Sequence, residues 1–323
     1  MKPIDLMKIA TFSVIGLLGS ATLTIAQTGN GGRSAFDFLK ISPVSRAIGA
    51  GEAYTALGDD IGAIYYNPAG LSSVLTNELN FTYLSLYQDI NYEFIAFAYP
   101  LSSAFPSLGG TVAVGIALLQ PGSMQRLDDT GTVKGTFSSA DEVFTLAYAR
   151  TIGASVQVGI SGKLIQQQID TISTSAIDVD AGIVVVPPFE GMRVGISFKN
   201  LGAQAASFDL PFTMNSGISY RRYEIFSEQD DGAVSAEAIF PLRPIEDKVG
   251  MRVGFEYNFK WIGSRATLRG GYRFLDTDLG GEGLTAGAGY GLDFGGASLF
   301  LDYAFMPADI FGAAHRISLT SKF

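Results

Sequence analysis

The sequence predicts an all-β fold, a transmembrane antiparallel β-barrel of about 14 strands with an N-terminal plug, or hatch, segment. Three observations carry that prediction. Hydrophobic residues fill 47% of the 323 positions and charged residues only 16%, yet no run after residue 26 reaches the ~20 unbroken apolar residues that a membrane helix needs. From Ile90 onward, short stretches alternate apolar with polar residues and are then broken by a turn. The last such stretch ends on an aromatic residue, Phe323. Apolar residues dispersed with a period of two belong to strands that bury one face. Where charge is this sparse, lipid is a better match for that face than a soluble core.

The N-terminus reads as a secretory signal. Lys2 and Lys8 supply a positive start, Ile9 to Ile25 is apolar or small throughout, and Thr24-Ile25-Ala26 offers small residues for cleavage before Gln27. The expected organisation is a signal peptide over 1–26, a plug over 27–76 and a barrel over 77–323, exported to the outer membrane. A formal net charge of −9 argues against a nucleic-acid partner. Cysteine is absent, which removes disulfides, thiolate metal sites and cysteine nucleophiles together.

The strands follow from the alternation. In Val249 to Phe259, Val249, Met251, Val253, Phe255 and Tyr257 share one face, while Arg252, Glu256 and Asn258 share the other with two glycines. Counting such segments gives spans at 78–87, 90–100, 109–119, 141–150, 154–167, 176–186, 190–199, 212–222, 232–241, 249–259, 265–274, 284–294, 296–305 and 314–323. A lysine or arginine facing lipid near mid-bilayer costs about 2–4 kcal/mol, so the strand charges must point inward. That assigns Arg193, Arg221, Arg252, Glu256, Arg269, Arg273, Asp293, Asp302 and Arg316 to the lumen. Tyr220, Tyr257, Tyr272, Tyr290 and Tyr303 fall on the apolar face near strand ends, where interfacial girdles sit. Glycine is common on the polar face, which suits a lumen packed closely by a plug.

Turn lengths give an independent check. Short turns are expected at Thr151–Gly153, Pro187–Glu190, Lys260–Ser264 and Gly295, and long outward loops at Gln120–Ala140, Gln168–Ser175, Asn200–Pro211 and Leu275–Gly283. Leu101–Leu108 and Tyr223–Asp231 are longer than this rule wants.

Residues 28 to 75 do not alternate. Asp59 or Asp60 is placed to cap a short helix through Ile61 to Tyr65, Pro68 to stop it, and Gly70 to turn the chain through positive φ. The run Ser45-Arg46-Ala47-Ile48-Gly49-Ala50-Gly51-Glu52-Ala53-Tyr54-Thr55-Ala56, then Gly58-Asp59-Asp60, then Tyr65-Tyr66-Asn67-Pro68-Ala69-Gly70-Leu71, resembles the N-terminal signature of PorV/PorQ-type outer-membrane proteins. Its Asn-Pro-Ala element is similar to that of the wider FadL-like transporters. The resemblance implies 14 strands and an N-terminal hatch filling the lumen, with Arg46, Gly49, Gly51, Asp59, Asp60, Asn67, Pro68, Ala69 and Gly70 as the plug motif. It also implies one of two activities. PorV-like members serve type IX secretion by handling exported cargo, and FadL-like members pass hydrophobic molecules through the barrel and out of a lateral opening. Few long loops are available to build a substrate groove, which favours the secretion side. The partners expected are outer-membrane lipid, secretion components or cargo, and the barrel-assembly machinery, whose recognition signal the terminal strand and Phe323 resemble.

No residue set assembles an active site, so no enzyme, cofactor or metal is expected. His315 is the sole histidine and reads as an interfacial residue of the last strand; no nucleophile-elbow sequence accompanies it. Gly287-Ala288-Gly289-Tyr290-Gly291 lies within a strand and opens no helix, so it is a lumen face and not a dinucleotide loop. Asp276-Thr277-Asp278-Leu279-Gly280-Gly281-Glu282 lacks the EF-hand spacing and reads as an acidic turn. Asp128-Asp129 and Glu228, Asp230 and Asp231 read as solvated loop charges.

Overall fold

A computed structural model describes residues 34–86, 90–103, 105, 108–203, 205, 208–243, 249–274, 282–307 and 313–323. The signal segment, and the acidic turn from Asp276 to Gly281, lie outside them. In chain order the strands are β1 (Glu78–Ser85), β2 (Asn91–Pro100), β3 (Thr111–Gln120), β4 (Met124–Leu127), β5 (Val133–Phe137), β6 (Ser139–Ile152), β7 (Val156–Ile169) and β8 (Ile172–Val185). They continue with β9 (Met192–Lys199), β10 (Phe212–Tyr223), β11 (Asp230–Arg243), β12 (Gly250–Trp261), β13 (Ser264–Phe274), β14 (Gly283–Phe294), β15 (Ala297–Pro307) and β16 (Ala313–Lys322). Fourteen of them close an antiparallel barrel in which each strand pairs with its sequence neighbours, β3 pairs with β6, and β16 returns to β1. Closure leaves no free edge at the join of first and last strands, where Phe323 exchanges backbone hydrogen bonds with Asn77.

All 14 expected spans appear, with ends shifted by a few residues. Two differences are larger. β4 and β5 form a separate hairpin inside the expected loop 120–140. Asp128 closes it by accepting from Thr130 N, Thr130 Oγ1 and Thr132 N and by pairing with Lys134 at 3.1 Å, so it is a turn-forming group rather than a merely solvated charge. Those bonds, Thr130's foremost, pull its carboxyl down to about 2. The second difference is that β7 and β8 run on through the expected loop 168–175 and turn at Asp170 and Thr171, with Asp170 left-handed at φ 56. A Ser/Thr/Gln-rich stretch extends as a hairpin because its alternation continues, even though its outward residues turn polar.

The turn between β10 and β11 is compact despite its length. Asp230 accepts from the backbone N–H groups of Ile225, Phe226 and Ser227 and from Tyr257 Oη, replacing the missing ladder bonds. Asp231 is buried between Arg221 and Lys260 at 2.7 and 2.9 Å. Asp230 and Asp231 are therefore structural groups and not solvated loop charges.

The wall is apolar outside. Ile95, Phe144, Leu164, Phe255, Leu268 and Leu301 are each more than two-fifths exposed on outward positions, while their strand neighbours are buried inside. Trp261 stacks beside Phe259 and Tyr290 at one rim, with ring centroids 5.5 and 6.2 Å apart. His315 is exposed on the outer face, its Nδ1 2.7 Å from Tyr303 Oη.

Residues 34 to 76 fill the lumen. The chain enters at the loop end, where Ala35 N–H donates to Asp209 O, and leaves at the turn end, where Asn77 meets Phe323. Between them lie a 3-10 turn (Asp37–Lys40), α1 (Ser45–Gly49), α2 (Ala63–Tyr66) and a 3-10 turn (Pro68–Ser73). The expected helix through Ile61 to Tyr65 is shorter and starts later. No side chain caps α2, because Ile61 N–H is taken by Glu78 of β1 and Asp60 accepts from Gly62 N–H instead. α2 ends ahead of Pro68, which opens the next 3-10 turn. Gly70 is not in the left-handed region; it is glycine because a methyl group there would strike Gly58 O and Ala63 Cβ.

Candidate functional site

The plug is held by charge at one end and by close backbone contact at its middle. Arg46, on α1, grips both oxygens of Glu256 on β12 through Nε and Nη2 at 2.8 and 2.9 Å. Its Nη1 reaches Asp59 at 2.6 Å and Asp60 at 2.8 Å. Glu256 also accepts from Arg269, which reaches on to Asp302, and lies 3.4 Å from Arg221. Asp59 and Asp60 are paired mainly within the plug and only secondarily by the lumen arginines. The plug's own Arg46 is their main partner, and Arg221 stands 3.5 Å from Asp59 as a secondary one. Arg193 instead holds the plug backbone through Gly58 O at 3.2 Å.

A second cluster lies around Glu52. Arg273 donates to it at 2.9 Å, Arg252 stands at 3.7 Å, and Tyr66 Oη donates at 2.9 Å. Arg316, almost wholly buried, donates from Nε to Ser42 O. Of the charges assigned to the lumen, Asp293 alone departs from that placement. It keeps inward parity but sits exposed at the end of β14, accepting from Ser298 Oγ beside the Gly295-Gly296 turn. Parity does not report depth, so a rim position looks like a lumen position in the alternation.

Asn67 ties the plug to the wall. Its Nδ2 donates to Thr55 O at 2.9 Å and faces Ile183 O on β8 at 3.3 Å, while Oδ1 accepts from Ala69 N–H. Opposite it, Gly182 on β8 has no room for a side chain, because a Cβ would occupy the position of Asn67 Oδ1. Gly51, at φ +68, meets Gly271 of β13 backbone to backbone in the same way, while Gly49 lies against Gly287. Gly182→Val is therefore expected to expel the Asn67 turn from its seat at a cost of about 1–3 kcal/mol or more. Faster trypsin cleavage within residues 34–76 of the purified protein checks this; unchanged cleavage would refute the seat.

Between the plug and the loop end lies a small apolar space lined by Leu39, Ile64, Tyr65, Tyr92, Phe94 and Lys163. It encloses about 30 Å³, room for roughly one water, where ligand sites usually run to about 300–1,000 Å³. Beyond Lys163 of β7, on the side away from that space, the wall is interrupted. β8 faces β7 along all 14 of its residues but faces β9 at only five, Ala181 to Val185, whereas other adjacent barrel pairs share eight to fourteen. β9 stops at Lys199 because Asn200 turns left-handed, at φ 62, and gives its N–H to the Asp180 side chain at 2.8 Å instead of continuing the ladder. Beyond that point Leu201 N–H donates to Val179 O, and Gly202 passes close to Ile177 O. Ile177, paired with β7 but without a strand on its β9 side, is 69% exposed.

Lys163 lies behind this seam. Its Nζ donates to Asp180 at 2.7 Å, Asn200 Oδ1 at 2.9 Å and Asp178 at 3.1 Å. Lys199 Nζ lies 3.8 Å from the centre of the Tyr65 ring. Lys163, Asp178, Asp180, Asn200 and Glu52 were absent from the sequence-based site set. The signal was available for three of them, since Asp178 and Asp180 share the inward parity of β8 and Lys163 that of β7. No group of acidic or histidine side chains able to hold a metal occurs among the described residues.

Solved structures of the same architecture carry a transport description. The chain superposes on the toluene transporter TbuX of Ralstonia pickettii with a TM-score of 0.57 at 12% identity, covering 89% of this chain and 98% of that one. For the toluene transporter TodX of Pseudomonas putida the TM-score is 0.56 at 10% identity, over 85% and 96%. A FadL homologue of Pseudomonas aeruginosa gives 0.54 at 10% identity, over 86% and 97%. At these identities the likeness establishes a shared fold. No protein-family model matches the chain, and no curated protein matches it.

Proposed function

We propose that this protein is a plugged outer-membrane channel for small hydrophobic molecules, exported by the signal at residues 1–26 and inserted through recognition of its last strand and Phe323. The apolar outer wall supports the bilayer setting. One observation carries the activity: an apolar space in the lumen is lined in part by Lys163, whose ammonium group also binds Asp178, Asp180 and Asn200 at the barrel seam that is paired over only five residues. The fold shared with toluene transporters favours the same class of cargo. In this reading the FadL-like activity takes precedence over the secretion role that the plug motif suggests.

Uptake of radiolabelled toluene by cells carrying the full-length protein in an intact outer membrane tests this reading. Uptake well above that of vector-only cells is expected, and equality with them would overturn the proposal. A second reading keeps one specific support: the outer-lumen space, at about 30 Å³, is far smaller than a ligand site, and the β4–β5 hairpin presents Leu127 and Val133 more than half exposed. That combination suits a PorV-type surface that docks exported cargo. If deleting the gene strips secreted proteins from the cell surface while hydrocarbon uptake is unaffected, docking is the function.

A further inference from the structure

The buried side-chain cluster that joins β7, β8 and the end of β9 holds the reactants of an amide exchange, and we propose that Lys163 and Asn200 condense there into a covalent side-chain amide (an isopeptide bond) with loss of ammonia. The proposal goes beyond the channel reading and does not depend on it.

The conditions for that chemistry meet at one place. Lys163 Nζ, the nucleophile, lies 2.9 Å from Asn200 Oδ1, so the Asn200 Cγ it must attack is at most one C=O bond farther away. Both partners are fixed. Asn200 gives its N–H to Asp180 at 2.8 Å and its Nδ2 to Pro211 O at 3.0 Å, and Lys163 is held by Asp180 at 2.7 Å and Asp178 at 3.1 Å. Groups positioned in this way can reach effective concentrations of about 10⁵–10⁸ M. Proton carriers stand on the reacting nitrogen: both oxygens of Asp180 lie 2.7 Å from Nζ, and Asp178 is oriented by Val179 N–H. Water, a rival nucleophile, is kept out, since Lys163 and Asn200 are buried and neither aspartate has exposed surface. The other rival is Leu201 N, which could close on Cγ as a cyclic imide. Its N–H is committed to Val179 O.

The step balances without an oxidant or a co-reactant. Asp180 takes one proton from the ammonium, and the electron pair set free on Nζ forms the bond to Cγ. A turn about the soft Cβ–Cγ torsion of Asn200 brings the face of the carbonyl to Nζ. A second proton passes from Nζ through Asp178 to Nδ2. The Cγ–Nδ2 bond then breaks, its electron pair leaves with ammonia, and the carbonyl re-forms. The first proton stays on the aspartate pair, so the buried cluster carries the same charge after its cation is consumed.

The product makes good a missing ladder. β9 faces β8 at only five residues, and the new bond ties the end of β9 to β7 across the lumen side of β8. A chain without cysteine has no disulfide with which to close such a seam.

Tryptic mapping of the folded protein extracted from outer membranes tests the bond. A linked Lys163 resists trypsin, so the expected product is a branched peptide joining 151–193 to 200–221, lighter than the two together by one ammonia. The map is decisive where the intact mass is not, because an N-terminal Gln27 also loses ammonia when it cyclises. Lys163→Met and Asn200→Ala should each abolish the branched peptide, and the wild-type map decides the bond whether or not these variants fold. Asp180→Asn keeps both reacting groups and should lower the linked fraction at least about tenfold, as loss of a general base does. Recovery of separate 151–163, 164–193 and 200–221 peptides from the folded wild-type protein overturns the bond. So does an unbranched 200–221 peptide lighter by one ammonia, which places the reaction at Leu201 N. A branched peptide undiminished in Asp180→Asn overturns the proton transfer through that residue.

Discussion

Arg46→Met is expected to unseat the plug, with a loss of about 3–5 kcal/mol, the usual result of removing one partner from a buried ion cluster. Arg46 is the only plug cation that meets Glu256, Asp59 and Asp60 together among the described residues, and each of those carboxylates lies within 2.9 Å of it. Methionine has similar length and no charge, so the cavity stays filled and the loss reports electrostatics. Arg269 and Arg221 remain to hold Glu256, but Asp60 is left with Tyr54 Oη and a backbone amide. The readout is the temperature at which the heat-modifiable gel band shifts, together with protease access to residues 34–76. A variant matching the parent in both would show that the cluster is not what holds the plug.

Deleting residues 34–74 should leave a barrel that inserts and conducts ions, whereas the intact protein should be silent in planar bilayers. All 14 wall strands lie outside the deleted segment, and every barrel ladder is made between them. What remains inside is a ring of arginines and carboxylates, including Arg252, Arg273, Glu237 and Glu256, which water solvates once the plug is gone. Silence of the deletion protein in bilayers, with the folded gel band present, would mean that another segment seals the lumen. Failure to form the band would instead make the plug a folding core, a role its many seats in the wall also permit.

The fold was legible because a period of two and the cost of charge in lipid both act locally. Val253 and Arg252 are adjacent in sequence and must point opposite ways, so the wall can be read one strand at a time. The plug motif was legible as a segment that fails to alternate. Its partners were not, because Arg46 and Glu256 are 210 residues apart and nothing local selects Glu256 over Glu237. The β4–β5 hairpin was missed although Asp128-Asp129-Thr130-Gly131 carries a turn signal, with Gly131 at φ 79, because its strands of four and five residues are exposed on both faces and show no apolar alternation. Gly70 was misread because glycine serves both positive φ and close approach, and only the packing tells them apart.

By itself, the sequence determined the number of barrel strands, the inward and outward faces, and the place where a non-alternating segment must fill a charged lumen. Each of these is a property of consecutive residues in a pleated chain meeting lipid on one side. Tertiary structure alone decided which charges meet, how deep each lies, and where the wall is weak. The seam at β8 and β9 is the clearest case. Its short ladder comes from Asn200 giving its amide to an aspartate on the neighbouring strand, a competition between side chain and backbone that exists only once the two strands lie side by side.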